Sequence, residues 1–426
     1  MKESTKFLLV VPSMCNRLYQ CWPMKLGIMK AEGTTPTRVL FRQDLCDHCG
    51  RCLTLCPVLR FDAGRARESV RLLASGQWVA DVLDRCTGCM SCDALCPTGA
   101  GPYGLLLEHY HRRYQESGIP GVFRNAMPQR EGPDLWNQLE RWLTPRERAN
   151  LDRWSRPPAG REVLFLGCNQ RLTPFIADTP LFDGLEIFCD SDNCCGEYFL
   201  RLGLIEEARA RAEALSARFR QCGIERVIAF CPACENTMTN LAPRLLGVDF
   251  DLEVTGLVQW LSAHVDSGDI ALTRRLRGAA TVQDPCHASG LDSSVTGEVR
   301  SLVRAVGLEV WEMVTSGATA ECCGLGAALS RYSMTDVVKV GIRRARQAAF
   351  TGADITCAWC NGCYMVMNMT AALHPLAPPV YHLLELVGLA AGEHPVRSIR
   401  TRRLQIFAAA LEATARDGFR FSRVRV

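Results

Sequence analysis

The chain has 426 residues, of which 48% are hydrophobic and 22% are charged, with a formal net charge of +4. This balance is typical of a folded globular protein with two or three domains, and it excludes a disordered or fibrous chain. The small, dispersed charge argues against nucleic-acid binding, which needs a concentrated basic surface. The unusual feature is the count of 23 cysteines.

No apolar run approaches the ~20 residues of a membrane-spanning helix, and the early run from Phe7 to Val11 is too short for a signal-peptide core. The N-terminal extension, residues 1–40, also holds Cys15 and Cys21, which have no metal-ligand neighbours in the sequence. Secreted disulfide scaffolds are short, whereas most cysteines here have metal-ligand spacing. We expect a cytoplasmic protein that reaches the inner face of a membrane only through a partner.

The segment 41–115 carries the first cysteine array. The pattern C-x2-C-x2-C-x3-C-P occurs twice, as Cys46, Cys49, Cys52 and Cys56 before Pro57, and as Cys86, Cys89, Cys92 and Cys96 before Pro97. In such runs three thiolates hold one cubane [4Fe-4S] cluster, and the cysteine before the proline reaches the other cluster. The predicted ligand sets are Cys46, Cys49, Cys52 and Cys96 for one cubane, and Cys86, Cys89, Cys92 and Cys56 for the other.

A pair of zinc sites is the alternative, but zinc fingers use two separated ligand pairs. A helix-like stretch around Ser69 to Leu73 separates the two runs, so the region resembles the helical dicluster ferredoxin of respiratory iron–sulfur subunits. Residues 116–160 are predicted to be a linker, because the stretch 142–161 is charged and interrupted by Pro145, Pro157 and Pro158.

Residues 161–395 contain an internal repeat. The first copy consists of Cys168, Cys194-Cys195-Gly196 and Cys231-Pro232-Ala233-Cys234, and the second of Cys286, Cys322-Cys323-Gly324 and Cys357-Ala358-Trp359-Cys360. In each copy one predicted strand leads to the first cysteine (Val163 to Gly167, Ala280 to Val282) and another leads to the C-x2-C pair (Arg226 to Phe230, Asp354 to Thr356). Apolar runs alternating with helical patterns favour two α/β modules, 161–262 and 263–395, with ligands at strand ends.

These residues resemble the tandem CCG modules of the catalytic subunit of heterodisulfide reductases. With the ferredoxin region in front, the layout is also similar to the iron–sulfur subunits of glycolate oxidase, anaerobic glycerol-3-phosphate dehydrogenase and thiol:fumarate reductase. The fold implied is α+β overall, with a helical dicluster ferredoxin domain followed by two tandem α/β modules. The resemblance covers roughly residues 41–395 and implies a noncubane [4Fe-4S] cluster in each module, where a disulfide is cleaved.

By position, the resemblance implies five ligands in each module. The first set is Cys168, Cys194, Cys195, Cys231 and Cys234; the second, which with His287 forms the implied catalytic site, is Cys286, Cys322, Cys323, Cys357 and Cys360. Only 25 residues separate Cys168 from Cys194, against 35 between Cys286 and Cys322, so Cys189 stays an alternative ligand in the first module. Zinc in one of the two modules is a further alternative.

Several other residues have two interpretations. Cys363 is either a substrate-facing thiol or a packing residue at a helix start, and Cys222 is expected to be structural. His287 either delivers protons to a thiolate product or hydrogen-bonds a cluster sulfur or a carbonyl.

The tail, residues 396–426, combines arginines with an apolar helical face formed by Leu404, Phe407 and Leu411. It is interpreted either as a solvated helix or as a basic docking surface for a partner.

Two functions remain open. No G-x-G-x-x-G follows a strand and no P-loop is present, so we expect no flavin and no NAD, and electrons must arrive from another subunit. As an enzyme, the chain passes electrons through two cubanes to the CCG sites and cleaves a disulfide substrate. As a relay, it only moves electrons between partners. Expected partners are a flavoprotein or electron-bifurcating subunit and a membrane haem or quinone subunit.

Overall fold

The computed structural model describes residues 40–128, 133–189, 192–394, 399–418 and 422–425. All of them belong to the structural unit Arg38–Val426. Nearly all of the predicted extension, with Cys15 and Cys21, lies outside the described residues. Among the helices that are described, none combines the length and the apolar composition needed to cross a bilayer.

The ferredoxin region is helical, as predicted. Its helices are α1 (Arg51–Thr54), α2 (Ala63–Ala74), α3 (Ala80–Leu83), α4 (Ser91–Ala94) and α5 (Pro102–Ser117). The carboxylate of Asp62 accepts the Arg65 N–H at 3.0 Å and so caps the start of α2. Ala66, Val70 and Leu73 form the buried face of α2, which packs against α1 and α5.

The predicted linker, residues 116–160, contains regular secondary structure over much of its described length. It contains β1 (Ile119–Pro120), α6 (Gly121–Asn125), α7 (Leu135–Leu139) and α8 (Pro145–Trp154). Thr144 and Glu147 form a reciprocal capping box at the start of α8, and Pro145 occupies the first turn, where a proline is well tolerated. The proline that suggested a linker therefore marks the beginning of a helix.

The two α/β modules have the same sheet order. The first contains β2 (Glu162–Phe165), β3 (Ile187–Phe188), β4 (Arg226–Ala229) and β5 (Glu253–Gly256), ordered β3-β2-β4-β5. Its helices are α9 (Glu197–Arg201), α10 (Ile205–Gln221), α11 (Pro232–Asn236), which continues as a π-helix over Thr237–Leu246, and α12 (Leu257–Ser267).

The second module contains β6 (Ala279–Gln283), β7 (Glu309–Val310), β8 (Ile355–Ala358) and β9 (Val380–His382), ordered β7-β6-β8-β9. Its helices are α13 (Val295–Ala305), α14 (Leu325–Arg331), α15 (Thr335–Phe350), α16 (Asn361–Ala371) and α17 (Leu383–Ala391). All strand pairs in both modules are parallel. The α+β prediction is confirmed, and loops after the parallel strands lie on one edge of each sheet, where such folds place their sites.

The C-terminal segment is part of the fold. α18 (Ile399–Arg416) packs on α7 and α16, and β10 (Arg423–Val424) pairs antiparallel with β1. Arg402 is buried and donates to both carboxylate oxygens of Glu147, at 2.6 and 2.8 Å. The tail is thus not a solvated appendage, because one face of α18 is anchored by this ion pair. Its other face exposes the apolar stripe that the sequence predicts, Leu404, Phe407 and Leu411.

Candidate redox centres

The ferredoxin thiols gather in two groups that match the predicted ligand sets. Burial raises the pKa of Cys52 to about 12, and the neighbouring thiols of Cys96, Cys46 and Cys49 add to the rise. In the same way, burial and then Cys89 and Cys56 raise the pKa of Cys86 to about 12. The cysteine before each proline thus lies beside the triplet of the other run. Crowded buried thiols of this kind ionise only when a metal replaces their protons.

In the first module all five predicted thiols come together. The Sγ atoms of Cys194 and Cys168 lie 4.0 Å apart. Cys195 contacts both Cys194 and Cys234, and Cys234 contacts Cys231. Gly167 makes this approach possible: its φ is +71°, and a Cβ there would lie 2.7 Å from Cys234 Sγ.

Cys189, the alternative ligand of the first module, has another place. Its thiol donates to the Gly167 carbonyl at 3.6 Å, and its side chain is buried. Cys222 follows α10 as its C-terminal cap and lies away from the strand ends that carry the five thiols. Both positions suit packing and loop geometry.

In the second module the structure brings together four of the five predicted thiols and replaces the fifth. Cys286 contacts Cys322, and Cys322 contacts Cys323. Cys363 contacts Cys323 and Cys360. Cys357 instead lies inside β8, paired with Val282 on one side and Tyr381 on the other.

The structure thus places Cys363, and not the predicted Cys357, beside the other four thiols of the second module. One residue separates β4 from Cys231, and one residue separates β8 from Cys360, so the equivalent pairs are Cys231–Cys234 and Cys360–Cys363. The signal was present in the sequence. With this register, 35 residues lie between Cys195 and Cys231, and 36 between Cys323 and Cys360.

The two five-thiol sites adjoin each other. The thiol of Cys231 in the first module contacts that of Cys360 in the second. A cavity of about 40 Å³ lies between the modules, and residues from both line it. Its lining includes Tyr198, Leu325, Leu329, Glu197, Arg201 and His287.

A buried charged group on α9 connects the ferredoxin region to the second module. Arg201 donates from Nη1 to the Gly88 carbonyl at 2.9 Å and from Nη2 to Cys286 Sγ at 3.1 Å. Glu197 forms an ion pair with Arg201. Burial alone raises the pKa of Glu197, but Arg201 and His287 outweigh it and hold that pKa at about 2. Sequence reasoning missed both residues, although their spacing of four on one short helix marks them as a pair.

His287 lies within this group and beside the cavity. Its Nε2 is 2.9 Å from Arg201 Nη2 and 3.1 Å from Glu197 Oε1, while its Nδ1 is 3.1 Å from Asn236 Nδ2. In the neutral tautomer whose Nδ1 accepts from Asn236, Nε2 carries the proton and donates to Glu197. In the other tautomer Nε2 accepts from Arg201, and the Nδ1–H then needs the Asn236 amide to present its oxygen.

The thiol geometry is that of a multi-metal centre. Among the described residues, no three Cys, His, Asp or Glu side chains converge closely enough to bind a single metal ion. An iron–sulfur cluster instead takes thiolates at separate irons, and the soft thiolate donors of both modules suit iron. The residues present therefore fit a cluster in each module.

Comparison with known families supports the two-part architecture. Residues 42–100 match a 4Fe-4S dicluster domain, and residues 181–239 and 280–368 match a cysteine-rich domain. The second of these matches contains Cys363 as well as the other four thiols of its site.

Three characterised proteins are similar along much of the chain. A component of the dihydromethanophenazine:CoB–CoM heterodisulfide reductase of Methanosarcina barkeri is 24% identical, over 76% of this chain and 88% of that protein. A component of the CoM/CoB fumarate reductase of Methanothermobacter marburgensis is 24% identical, over 81% and 72%. The EtfAB:quinone oxidoreductase of Syntrophomonas wolfei is 24% identical, over 61% and 38%. The predicted resemblance to heterodisulfide reductase subunits is confirmed.

Proposed function

We propose that this chain, an iron–sulfur electron-transfer protein with a 4Fe-4S dicluster domain and two cysteine-rich domains, reduces a disulfide in the cavity between those two domains. The substrate S–S bond accepts two electrons and two protons, breaks, and leaves as two thiols. The electrons come from a redox partner through the dicluster domain. The observation that carries the proposal is the adjoining pair of five-thiol sites, with a cavity between the modules that His287 lines.

The residues that would hold the cofactors follow from the thiol groups. The two cubane sets are those predicted from the sequence, the first module supplies Cys168, Cys194, Cys195, Cys231 and Cys234, and the second supplies Cys286, Cys322, Cys323, Cys360 and Cys363. When bound, [4Fe-4S] clusters supply one-electron storage and a Lewis-acidic iron for a substrate sulfur. Buried thiols on both sides of the cavity support a noncubane cluster in each module.

The order of the electron route follows from contacts between the sites. The loop of Cys86 and Cys89 contacts the second module directly, because Arg331 donates to the Cys86 carbonyl at 3.0 Å and Ser289 donates to the Cys89 carbonyl at 3.1 Å. This contact leaves the set of Cys46, Cys49, Cys52 and Cys96 as the end that meets a redox partner. The second module then contacts the first through Cys360 and Cys231. Electrons therefore enter at the Cys46 set and reach the second module before the first.

Proton supply is assigned to His287. Its Nε2 can hold a proton against Glu197, which stays ionised, and release it towards the cavity. The ring then keeps its other proton on Nδ1, and the neighbouring Arg201 donates to the bare Nε2. Because Nδ1 faces the Asn236 amide as a donor in this state, the transfer includes a turn of that amide to present its oxygen.

A pure relay is the second candidate, with electrons passing between a flavin-bearing dehydrogenase and a quinone pool. The small cavity favours it, because about 40 Å³ holds little more than a water molecule. The similarity to a quinone oxidoreductase also supports it. In both cases we place the chain in the cytoplasm, with flavoprotein or membrane haem subunits as partners.

Metal analysis and spectroscopy on the anaerobically purified chain test the proposal. At four irons per cluster we expect about sixteen irons and little zinc. A thiol added to the oxidised protein should produce a new paramagnetic signal, and a disulfide should reoxidise the reduced protein. About eight irons with stoichiometric zinc would overturn the cluster assignment. Sixteen irons without a response to thiol or disulfide would leave the relay.

A further inference from the structure

Arg344 on α15 is a fully buried cation bound only by neutral groups. Its Nε donates to Gln283 Oε1 at 2.6 Å. Its Nη1 donates to the Thr315 carbonyl and hydroxyl oxygens at 2.9 and 3.0 Å and to Gln347 Oε1 at 2.6 Å. Its Nη2 has no hydrogen-bond acceptor among the described residues. A guanidinium stays protonated in proteins, so its charge needs compensation.

The two carboxylates in the same region are already held by other arginines. Asp284 accepts from both Nη atoms of Arg300, at 3.0 and 2.8 Å. Glu321 pairs with Arg343 at 2.6 Å. Both carboxylates and the thiols of Cys363 and Cys323 attract Arg344 electrostatically. Arg300 also pairs with Glu312 at 2.6 Å, so Arg344 is the arginine of this group that no carboxylate contacts among the described residues.

The first module has no such cation at the equivalent position. In the first module, a Cβ at Gly196 would lie 2.5 Å from the Ala208 carbonyl oxygen of α10. In the second, a Cβ at Gly324 would lie 2.6 Å from the Val337 carbonyl oxygen of α15. Ala208 and Val337 are therefore equivalent positions of the two helices. Seven residues beyond these contacts lie Leu215 and Arg344, and both side chains are fully buried.

Other arginines near the thiols do not remove this difference. Arg211 acts on Cys194 in the first module, but it is only half-buried and lies over the Phe199 ring at 5.0 Å, so water screens its charge. Arg201 acts on Cys286 and Cys322 in the second module, but Glu197 compensates it. The buried arginine without a carboxylate in contact, Arg344, belongs to the second module, where Gly341 of the same helix packs on the Cys323 carbonyl.

We propose that Arg344 is the counter-charge of the cluster in the second module and holds its reduction potential above that of the first module. The inference rests on the proposed function, because it requires a cluster at this site. A fixed buried cation favours the state with one more electron. The electron that reduces this site leaves the cubane held by Cys86, Cys89, Cys92 and Cys56, which is oxidised by one electron.

An EPR-monitored redox titration of the full chain tests this inference. The second-module signal is identified as the one that Cys363→Ser removes. Arg344→Gln keeps a hydrogen-bond donor but loses the charge. The equilibrium constant for one-electron reduction of the centre that gives this signal should fall at least tenfold, which lowers its potential by about 59 mV. The potential of the same centre in Arg344→Lys should stay within about 59 mV of the wild-type value. The control Arg346→Met removes an exposed arginine of the same helix and should leave the potential unchanged.

The outcomes are distinct. Full iron content with an unchanged potential in Arg344→Gln overturns the inference, as does an equal fall in Arg344→Lys. If Arg344→Gln loses about four irons, retention of iron in Arg344→Lys supports the counter-charge and loss in both variants overturns it. A wild-type chain without a signal that depends on Cys363 contradicts the proposed function instead.

Discussion

The two α/β modules share a frame but differ in the residues around it. Both place five thiols after equivalent strands and turns. The residue after the first cysteine is Asn169 in one module and His287 in the other. Helix α9 presents Glu197 and Arg201 to the shared cavity, whereas the equivalent helix α14 presents Leu325 and Leu329. The repeated frame supplies two five-thiol sites, and the differences place the buried ion pair and His287 beside the second.

Replacing Cys363 should have the largest effect on this comparison. Cys363→Ser should remove about four irons, because an alkoxide is a poorer ligand for a soft metal site than a thiolate. Cys357→Ser is the matched control, since its side chain lies within β8. It should keep about sixteen irons, the content expected of four complete clusters. Iron loss from Cys357→Ser, with full iron retention in Cys363→Ser, would show that Cys357 is the ligand, in the register that the sequence predicts.

That register shows what sequence could and could not supply. Cys357, Cys360 and Cys363 form two overlapping C-x2-C pairs, and local spacing fits both. The end of β8 selects the second pair, and the repeat spacing of 35 and 36 residues agrees with it. The ferredoxin sets and the strands before the cysteines were predictable, because their patterns are local. The α18 contact was not: the ion pair of Arg402 with Glu147 joins residues far apart in the chain, and no local pattern encodes it.

Exchanging the residue after the first cysteine should have the next largest effect. His287→Asn gives the second module the residue of the first. We expect disulfide reduction to slow by roughly 10²- to 10⁴-fold, the usual contribution of general acid catalysis. Cluster potentials and iron content should change little. The measurement is turnover with a low-potential dye as electron donor, with Asn169→Ser as the control that should retain most activity.

Wild-type turnover in His287→Asn would contradict proton delivery and leave the histidine as a hydrogen-bonding partner of Arg201 and Glu197. A loss of four irons would instead assign His287 to cluster retention.

Two adjacent arginines of α18 test how the modules are held together. Arg402 donates to the Leu172 carbonyl of the first module at 2.9 Å and pairs with Glu147, while Arg403 donates to the Asn368 carbonyl of the second at 3.1 Å. Arg402→Met leaves a buried carboxylate unpaired and should cost roughly 3–5 kcal/mol in the free energy of unfolding. Arg403→Met loses one hydrogen bond of a half-buried side chain and should cost about 1 kcal/mol. Denaturant unfolding under anaerobic conditions measures the free energy of unfolding of both variants. Equal losses in the two variants would show that α18 is not anchored chiefly through the first module and α8.

The smallest expected effect concerns the residue after the last cysteine, which is Glu235 in the first module and Tyr364 in the second. Burial, with a further contribution from Glu298, raises the pKa of Glu235 to about 7 from its ordinary value of 4.5. The folded state holds the Glu235 proton more tightly than the unfolded state. The contribution of this proton to the free energy of unfolding is therefore fully present below pH 4.5. It is lost as the pH rises towards 7, and above that value both states are ionised.

Glu235→Gln should therefore gain stability over wild type between pH 4.5 and 7, up to about 2–3 kcal/mol, and hold that gain at about pH 8. The melting temperature of the cluster-loaded protein, measured from about pH 5 to 8.5 for both chains, gives the comparison. Tyr364→Phe in the second module is the matched control, because a phenol does not titrate in this range and the difference from wild type should be the same at every pH. A pH-independent difference for Glu235→Gln would mean that the carboxyl is already ionised in the folded protein. The two modules would then differ less in their buried charge than their sequences suggest.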